Sequence, residues 1–334
     1  MNLKPLKKHL LSASVLIGSL VSYSATASQE AIKAYENQEL ANAKMLFNQS
    51  LDNNKNDSTA LHYLAKIALN ESELDEAEEY IEKAKELSPE NARIHFDAAR
   101  IMGAQAQDSS MFSAPGYAKN ALKSFKRAAE LEPETIDYRR GLMSFYLQAP
   151  GFLGGDEKLA MQEANAIEKL DPVKGFMALA NVYQSTGASG LLEQHYSSVD
   201  GKLADNANVL FSRGLYYQTL EEYGKALADF RKIQTLERAS EEDHTNYAAL
   251  YQVGRSSVLS ESNHKEGIDS LNQYIKTAPE SDQLPSKAWA KYRLGILFKQ
   301  TGDKKSAKTL YKEAQQETKD KQLLKSLKKS IKKL

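Results

Sequence analysis

Residues 61–89 read LHYLAKIALNESELDEAEEYIEKAKELSP, and this stretch decides the fold. Apolar and small residues recur in it at intervals of three and four, which places side chains on one face of an α-helix. The residues in question are Leu61, Leu64 and Ala65 before the polar segment 70–73, and Ala77, Ile81 and Ala84 after it. Pro89 then stops the second helix, because proline lacks an amide donor and clashes with the preceding turn. The stretch therefore predicts a helix–turn–helix unit.

The same ending occurs twice more along the chain, as Leu131-Glu132-Pro133 and Leu170-Asp171-Pro172. Each is preceded by an Ala-x3-apolar or Ala-x3-Ala spacing on the expected second helix. These are Ala121 with Phe125 and Ala160 with Ala164. Self-similarity at intervals of 20–50 residues is typical of a solenoid, in which stacked units bury a continuous core.

Two later segments carry the fuller pattern. One reads Leu210-x2-Arg213-Gly214-x2-Tyr217 with Ala226 and Phe230, and the other reads Leu294-Gly295-x2-Phe298 with Ala307 and Tyr311. Together with residues 61–89 they resemble the tetratricopeptide repeat family, although its first-position tryptophan is missing throughout. The resemblance covers nearly all of 28–318 and implies an all-α, right-handed superhelical solenoid of about eight helix pairs. It also implies that the first helix of each pair lines the concave side.

The proline spacing indicates insertions. Pro89 and Pro133 are 44 residues apart, and Pro133 and Pro172 are 39 apart, against a family period of about 34. We expect loops near 103–117 and 148–156, both between first and second helices and therefore neighbours at one edge. Their aromatic residues either seal the edge of the core or project as a recognition ridge. The candidate loop contacts are Phe112, Tyr117 and Phe152.

The two termini have their own signatures. Residues 1–27 combine three lysines, an apolar run at 10–20 and a small-residue Ala25-Thr26-Ala27 site, which predicts a signal peptide and export, with a membrane anchor as the alternative. The chain has no cysteine, which suits a bacterial periplasm better than an extracellular space. At the other end, 319–334 holds seven lysines and one acid. Its apolar stripe of Leu324, Leu327, Ile331 and Leu334 predicts a basic capping helix or, alternatively, an anchor on an anionic membrane surface.

Charge and motif content exclude several functions. Without the basic signal and tail, the body 28–318 carries a net charge of −9, which argues against nucleic-acid binding. No metal-binding histidine spacing, nucleophile elbow or nucleotide-binding glycine motif is present, so we expect no enzyme, metal or cofactor.

The first helices of the second to fourth repeats carry a basic and aromatic set that predicts a peptide-binding groove. Such a groove would suit an extended peptide with acidic side chains or a C-terminal carboxylate. The family's carboxylate clamp is not reproduced, because His62 and Lys66 stand where lysine and asparagine would be. The alternative is that these are surface cations paired with neighbouring acids. The candidate residues are His62, Lys66, Arg93, Phe96, Arg100 and Arg140.

The sequence therefore predicts a non-enzymatic periplasmic scaffold that binds a protein or peptide partner in its concave groove. The alternative function is a cell-envelope assembly factor that binds glycan or lipid through the aromatic loops and the basic tail.

Overall fold

The computed structural model describes residues 28–237 and 244–334, and the predicted signal peptide lies outside them. These residues form seventeen α-helices and two short 3-10 turns, with no strand among them. The chain divides into two compact units, here called the N-terminal unit (to Ala188) and the C-terminal unit (Ser189–Leu334).

The N-terminal unit is a row of consecutive helices, each packed on the next from α2 to α9. Polar side chains set where several first helices begin. Asp57, Asn91 and Asp171 each accept hydrogen bonds from two backbone amides of the first turn, which satisfies donors that have no partner within the helix. The helices are α1 (28–36), α2 (Leu40–Asn53), α3 (Ser58–Asn70), α4 (Leu74–Leu87), α5 (Ala92–Asp108), α6 (Ala114–Leu131), α7 (Ile136–Gln148), α8 (Glu157–Leu170) and α9 (Pro172–Ser185).

The three prolines act at helix boundaries in two ways. Helices α4, α6 and α8 end two residues before Pro89, Pro133 and Pro172, as the sequence predicts. Pro172 is in addition the first residue of α9, directly after its cap Asp171. Proline is favoured at this position, since its missing amide would have no intrahelical acceptor there.

The predicted loop at 103–117 is wrong. Helix α5 continues to Asp108 and α6 begins at Ala114, so only 109–113 connects them. Residues 104–108 (AQAQD) contain no helix breaker, and Pro115 lies in the first turn of α6, where it is tolerated. The extra residues of this repeat therefore mostly lengthen two helices. The connection after α7 is irregular, with a 3-10 turn at Gly151–Leu153 and a left-handed Gly154.

The C-terminal unit contains three packed helix pairs, α11 with α12, α13 with α14, and α15 with α16. Small residues on the first helix bring large residues of the second close to it. A Cβ atom at Gly214 would lie 2.6 Å from the Phe230 ring, and one at Gly295 would lie 2.5 Å from Tyr311. The helices are α10 (Ser189–Ser197), α11 (Ala207–Thr219), α12 (Tyr223–Ile233), α13 (Thr245–Ser260), α14 (His264–Thr277), α15 (Lys287–Gln300), α16 (Lys304–Glu317) and α17 (Lys321–Lys332).

The basic tail forms α17, which packs on α16. Leu323 and Leu327 are fully buried in a cluster with Tyr311. The predicted stripe therefore needs one correction, because Leu323 rather than Leu324 lies on the buried face. The spacing of four residues places Leu323 and Leu327 on the same side of the helix. Among the described helices, none is long and apolar enough to cross a bilayer.

Candidate functional site

The predicted basic residues of α3 and α5 surround one buried acid, Asp97. Its Oδ2 lies 2.7 Å from His62 Nε2, and both side chains are almost fully buried. Arg100 Nη1 donates to Oδ1 at 3.0 Å. The prediction that His62 lines an open groove is therefore wrong, because its ring is inside the unit and bonded to a residue on the neighbouring helix.

The electrostatics of this cluster favour an ionised Asp97. Burial by itself raises the pKa of a carboxyl group, but the hydrogen bond and charge of His62, with smaller contributions from Lys66 and Arg100, outweigh it. The net result is that the pKa of Asp97 is lowered. The acid that binds His62 and Arg100 is thus a fixed negative charge beneath the surface.

Lys66 is half-buried on aromatic rings. Its Nζ lies 4.7 Å from the ring centroid of Tyr35 and 4.8 Å from that of Tyr63, in cation–π geometry. Burial lowers the pKa of Lys66, whereas the charge of Asp97 acts in the opposite direction. The amine therefore sits at the surface in a position set by α1 and α3.

Arg93 and Phe96 extend this surface toward α7. The Phe96 ring lies 5.0 Å from the ring of Tyr138 and packs edge-on against Phe125 at 5.7 Å. Arg93 is exposed in the first turn of α5. Among the described residues, no carboxylate forms an ion pair with Arg93. Lys66, Arg93 and Arg100 therefore make a surface that is locally basic above one buried acid.

Arg140 is different from the other predicted site residues. It is exposed and pairs with Asp137 one turn earlier on α7, at 3.3 Å. This is the ordinary surface ion pair that the sequence left open as the alternative.

A cleft of about 800 Å³ opens between α5, α6, α7 and the connection after α7. Its volume is in the range of small-molecule and side-chain binding pockets. Phe96 and Arg100 line it, so it continues from the basic surface, and small residues form most of its walls. These small residues are Ala99, Gly103, Ala104, Ala106, Ala114, Ala118, Gly141, Ser144 and Ala149.

The glycines in the cleft show where it is closed and where it is open. A Cβ atom at Gly141 would lie 2.7 Å from both Phe96 and Phe125, so α7 is tightly packed at that level. A Cβ atom at Gly103 would meet no other atom within 4 Å. Gly103 lies on the part of α5 that precedes its extension, and the extension and the small side chains together create the space.

Three large apolar side chains project from the connections beside the cleft. Met111 is 82% exposed, Phe112 is 91% exposed and Phe152 is 79% exposed. Phe112 and Phe152 therefore do not seal the core. They project from the surface, as in the second of the two arrangements that the sequence left open. Tyr117 differs from both, since it belongs to α6 and packs against the core beside α4.

The cleft-lining glycine and alanines were missed by sequence reasoning, which assigned 103–117 to a loop. The signal present was the group of small residues Gly103, Ala104 and Ala106. In the residues that the structure describes, no group of three or more histidine or acidic side chains could hold a metal ion.

Comparisons with known proteins agree with this architecture. The tetratricopeptide repeat pattern matches residues 58–91, 207–240 and 290–320. These three segments of the chain are therefore similar to tetratricopeptide repeats. No curated relative matches the sequence.

The first of three similar solved structures supports the fold. A tetratricopeptide repeat protein from Parabacteroides merdae superimposes with a TM-score of 0.50 at 15% identity, covering 82% of this chain and 98% of that one. A thermophilic tetratricopeptide repeat protein from Thermus thermophilus has a TM-score of 0.44 at 17% identity, and the match covers 68% of this chain and 96% of that one. The human IFIT1 dimer with PPP-AAAA has a TM-score of 0.45 at 16% identity, and the match covers 89% of this chain and 56% of that one. The predicted all-α solenoid of helix–turn–helix repeats is confirmed by the repeat matches and the first of these structures.

The repeats indicate a protein–protein interaction scaffold in general terms. Tetratricopeptide repeat proteins are typically non-catalytic, and they generally bind protein or peptide partners.

Proposed function

We propose that the chain is an exported, non-enzymatic scaffold that binds an extended segment of a partner protein across α3, α5 and α7 of the N-terminal unit. The observation that carries the proposal is the apolar cleft of about 800 Å³ lined by Phe96 and Arg100, next to the basic surface that Arg100 shares with Lys66 and Arg93. An apolar side chain of the partner enters the cleft, and acidic side chains or a terminal carboxylate beside it meet the cations.

The exposed ridge adds contact area to this site. Met111, Phe112 and Phe152 are exposed large apolar side chains near the cleft, and aromatic residues and methionine are enriched at protein interfaces. A partner that covers them removes apolar surface from water, which is favourable by roughly 25 cal/mol per Å² before the costs of association.

Export to a periplasm is part of the proposal and is supported by the sequence alone. The basic start, the short apolar run and the Ala25-Thr26-Ala27 site have the order of a signal peptide, and the absence of cysteine is compatible with an oxidising compartment.

The alternative function is a cell-envelope assembly factor that binds glycan or lipid through the aromatic loops and the basic tail. The part of it that assigns lipid binding to the tail has less support. The apolar residues Leu323 and Leu327 of α17 are buried against α16 and its neighbours, so they are not presented to a bilayer. Exposed lysines without an apolar face give only electrostatic attraction to a membrane.

Removal of the two arginines beside the cleft tests the proposed function. Arg93→Gln with Arg100→Gln is expected to weaken capture of the partner by roughly tenfold or more, because two cations that face the partner's acids are lost. The measurement is crosslinking in cells followed by mass spectrometry, with the captured partner then titrated against purified variants.

The matched control is Lys119→Gln with Lys123→Gln, which removes two exposed charges from α6, outside the cleft. Equal binding by the two double variants would mean that the basic surface is not the partner's contact.

A further inference from the structure

The C-terminal unit contains two arginines that have no acid partner among the residues that the structure describes. Arg255 lies on α13 and Arg293 lies on α15, both half-buried, and α13 packs on α15. Across the described residues, neither guanidinium has a carboxylate within 4.0 Å. Other arginines of this unit are paired: Arg213 makes two hydrogen bonds to Asp229, and Arg231 makes two to Glu266.

Neutral groups hold the two guanidinium groups in place. Arg255 Nη1 donates to Gln218 Oε1 at 2.6 Å and to Gln252 Oε1 at 3.4 Å. Gln218 is itself buried and donates to Ser256 Oγ at 2.7 Å. Arg293 Nε donates to the Tyr251 hydroxyl at 2.7 Å. These bonds fix one edge of each guanidinium and use only part of its five N–H donors.

The arrangement is costly for the folded chain. Burial lowers the pKa of Arg255, and the positive charge of Arg293 lowers it further, so the two like charges are near each other and partly removed from water. A half-buried charge is normally paired with an opposite charge. Nothing among the described residues supplies that charge, and an anionic ligand would supply it.

We infer that Arg255 and Arg293 form a binding site for a carboxylate-bearing ligand. The planar guanidinium matches a carboxylate through two parallel hydrogen bonds. The Arg293 guanidinium lies 5.3 Å from the ring of Tyr251 and 5.8 Å from that of Trp289. The partly exposed Trp289 ring offers a surface for the organic part of the ligand, which favours an organic carboxylate over inorganic phosphate. The site is separate from the proposed partner cleft of the N-terminal unit, so either can be wrong without the other.

Trp289 gives a local readout, because it is the only tryptophan in the chain. The experiment titrates the full chain with glutarate at low ionic strength and follows tryptophan fluorescence. We expect a saturable change with half-saturation on the order of 1 mM, as is ordinary for a small weak ligand. The uncharged analogue glutaramide and sodium chloride at matched ionic strength are expected to give no such change.

The double variant R255Q/R293Q is expected to weaken glutarate binding by roughly tenfold or more, since both guanidinium forks are removed. R231Q/K232Q removes the same charge from α12 and is expected to bind as the wild type does. Circular dichroism checks that each variant is folded. If R255Q/R293Q does not fold, R293K takes its place, because lysine keeps the positive charge but cannot donate the two parallel hydrogen bonds of a guanidinium group.

Three results would overturn the inference. The first is glutarate binding that is unchanged in R255Q/R293Q or, where that variant does not fold, in R293K. The second is an equal fluorescence change with sodium chloride, which would show ionic screening alone. The third is saturable binding of inorganic phosphate without binding of glutarate, which would keep an anion site and reject the carboxylate.

Discussion

Gly103→Leu is expected to abolish partner binding while leaving the N-terminal unit folded. Gly103 lines the cleft, and a Cβ atom added to it would have no other atom within 4 Å. A larger side chain at this position would therefore extend into the cleft. Leucine would therefore fill the space proposed for the partner's apolar side chain. Because glycine in a helix interior costs roughly 0.5–1 kcal/mol relative to alanine, the substitution is expected to keep or raise stability.

The measurement is the affinity of the captured partner for the purified variant, together with its thermal unfolding. We expect a loss of roughly tenfold to a hundredfold in affinity, with no fall in melting temperature. The matched control is Gly224→Leu on α12, where a Cβ atom also meets nothing within 4 Å and no cleft is filled. Unchanged binding by Gly103→Leu would show that the partner does not use the cleft.

Asp97→Ala is expected to cause the largest loss of stability among the polar substitutions considered. It leaves His62 buried without its acid and removes the acceptor of Arg100. Removing one partner of a buried hydrogen bond costs about 1–3 kcal/mol, and more where the lost group is charged. Denaturant unfolding at pH 7 measures the loss.

The control for Asp97→Ala is Asp137→Ala, which removes an acid at the same spacing before an arginine on the neighbouring first helix. The Asp137–Arg140 pair is exposed, so the expected cost is below about 1 kcal/mol. Similar losses in the two variants would mean that burial of the Asp97 cluster contributes nothing.

The pH dependence of Asp97→Ala follows from the lowered pKa of Asp97. A carboxyl group with a lowered folded-state pKa stabilises the protein above its unfolded pKa, about 3.9, and loses that contribution as the pH falls through the folded value. The stability difference between wild type and Asp97→Ala is therefore expected to be largest near neutrality. It should shrink below about pH 4.

Much of the fold could be predicted because its determinants are local. The Ala77–Ile81 spacing and Pro89 specify a helix pair within thirty residues of sequence. The length of α5 could not be read in the same way, because the irregular proline spacing indicated a loop. The sequence AQAQD at 104–108 is compatible with a helix or a loop, and packing against α6 favours the helix.

The site was harder to predict because it depends on pairing between distant residues. His62 and Asp97 are 35 positions apart, and only their contact shows that His62 is unavailable to a ligand. Arg255 and Arg293 flank Gly254 and Leu294 in the repeat pattern, so their positions were visible in the sequence. What distinguishes them is the lack of an acid nearby, which is a property of the folded unit.

The most direct test of the proposed partner site is photo-crosslinking in cells from a residue in the cleft. A photoreactive amino acid at Gln107, which lines the cleft and is exposed, is compared with one at Lys123, which is exposed on α6 outside it. We expect one partner protein to be crosslinked from position 107 and not from 123, and to be lost when Gly103→Leu is added. Equal crosslinking from both positions, or crosslinking from 107 that survives Gly103→Leu, would contradict the proposed site.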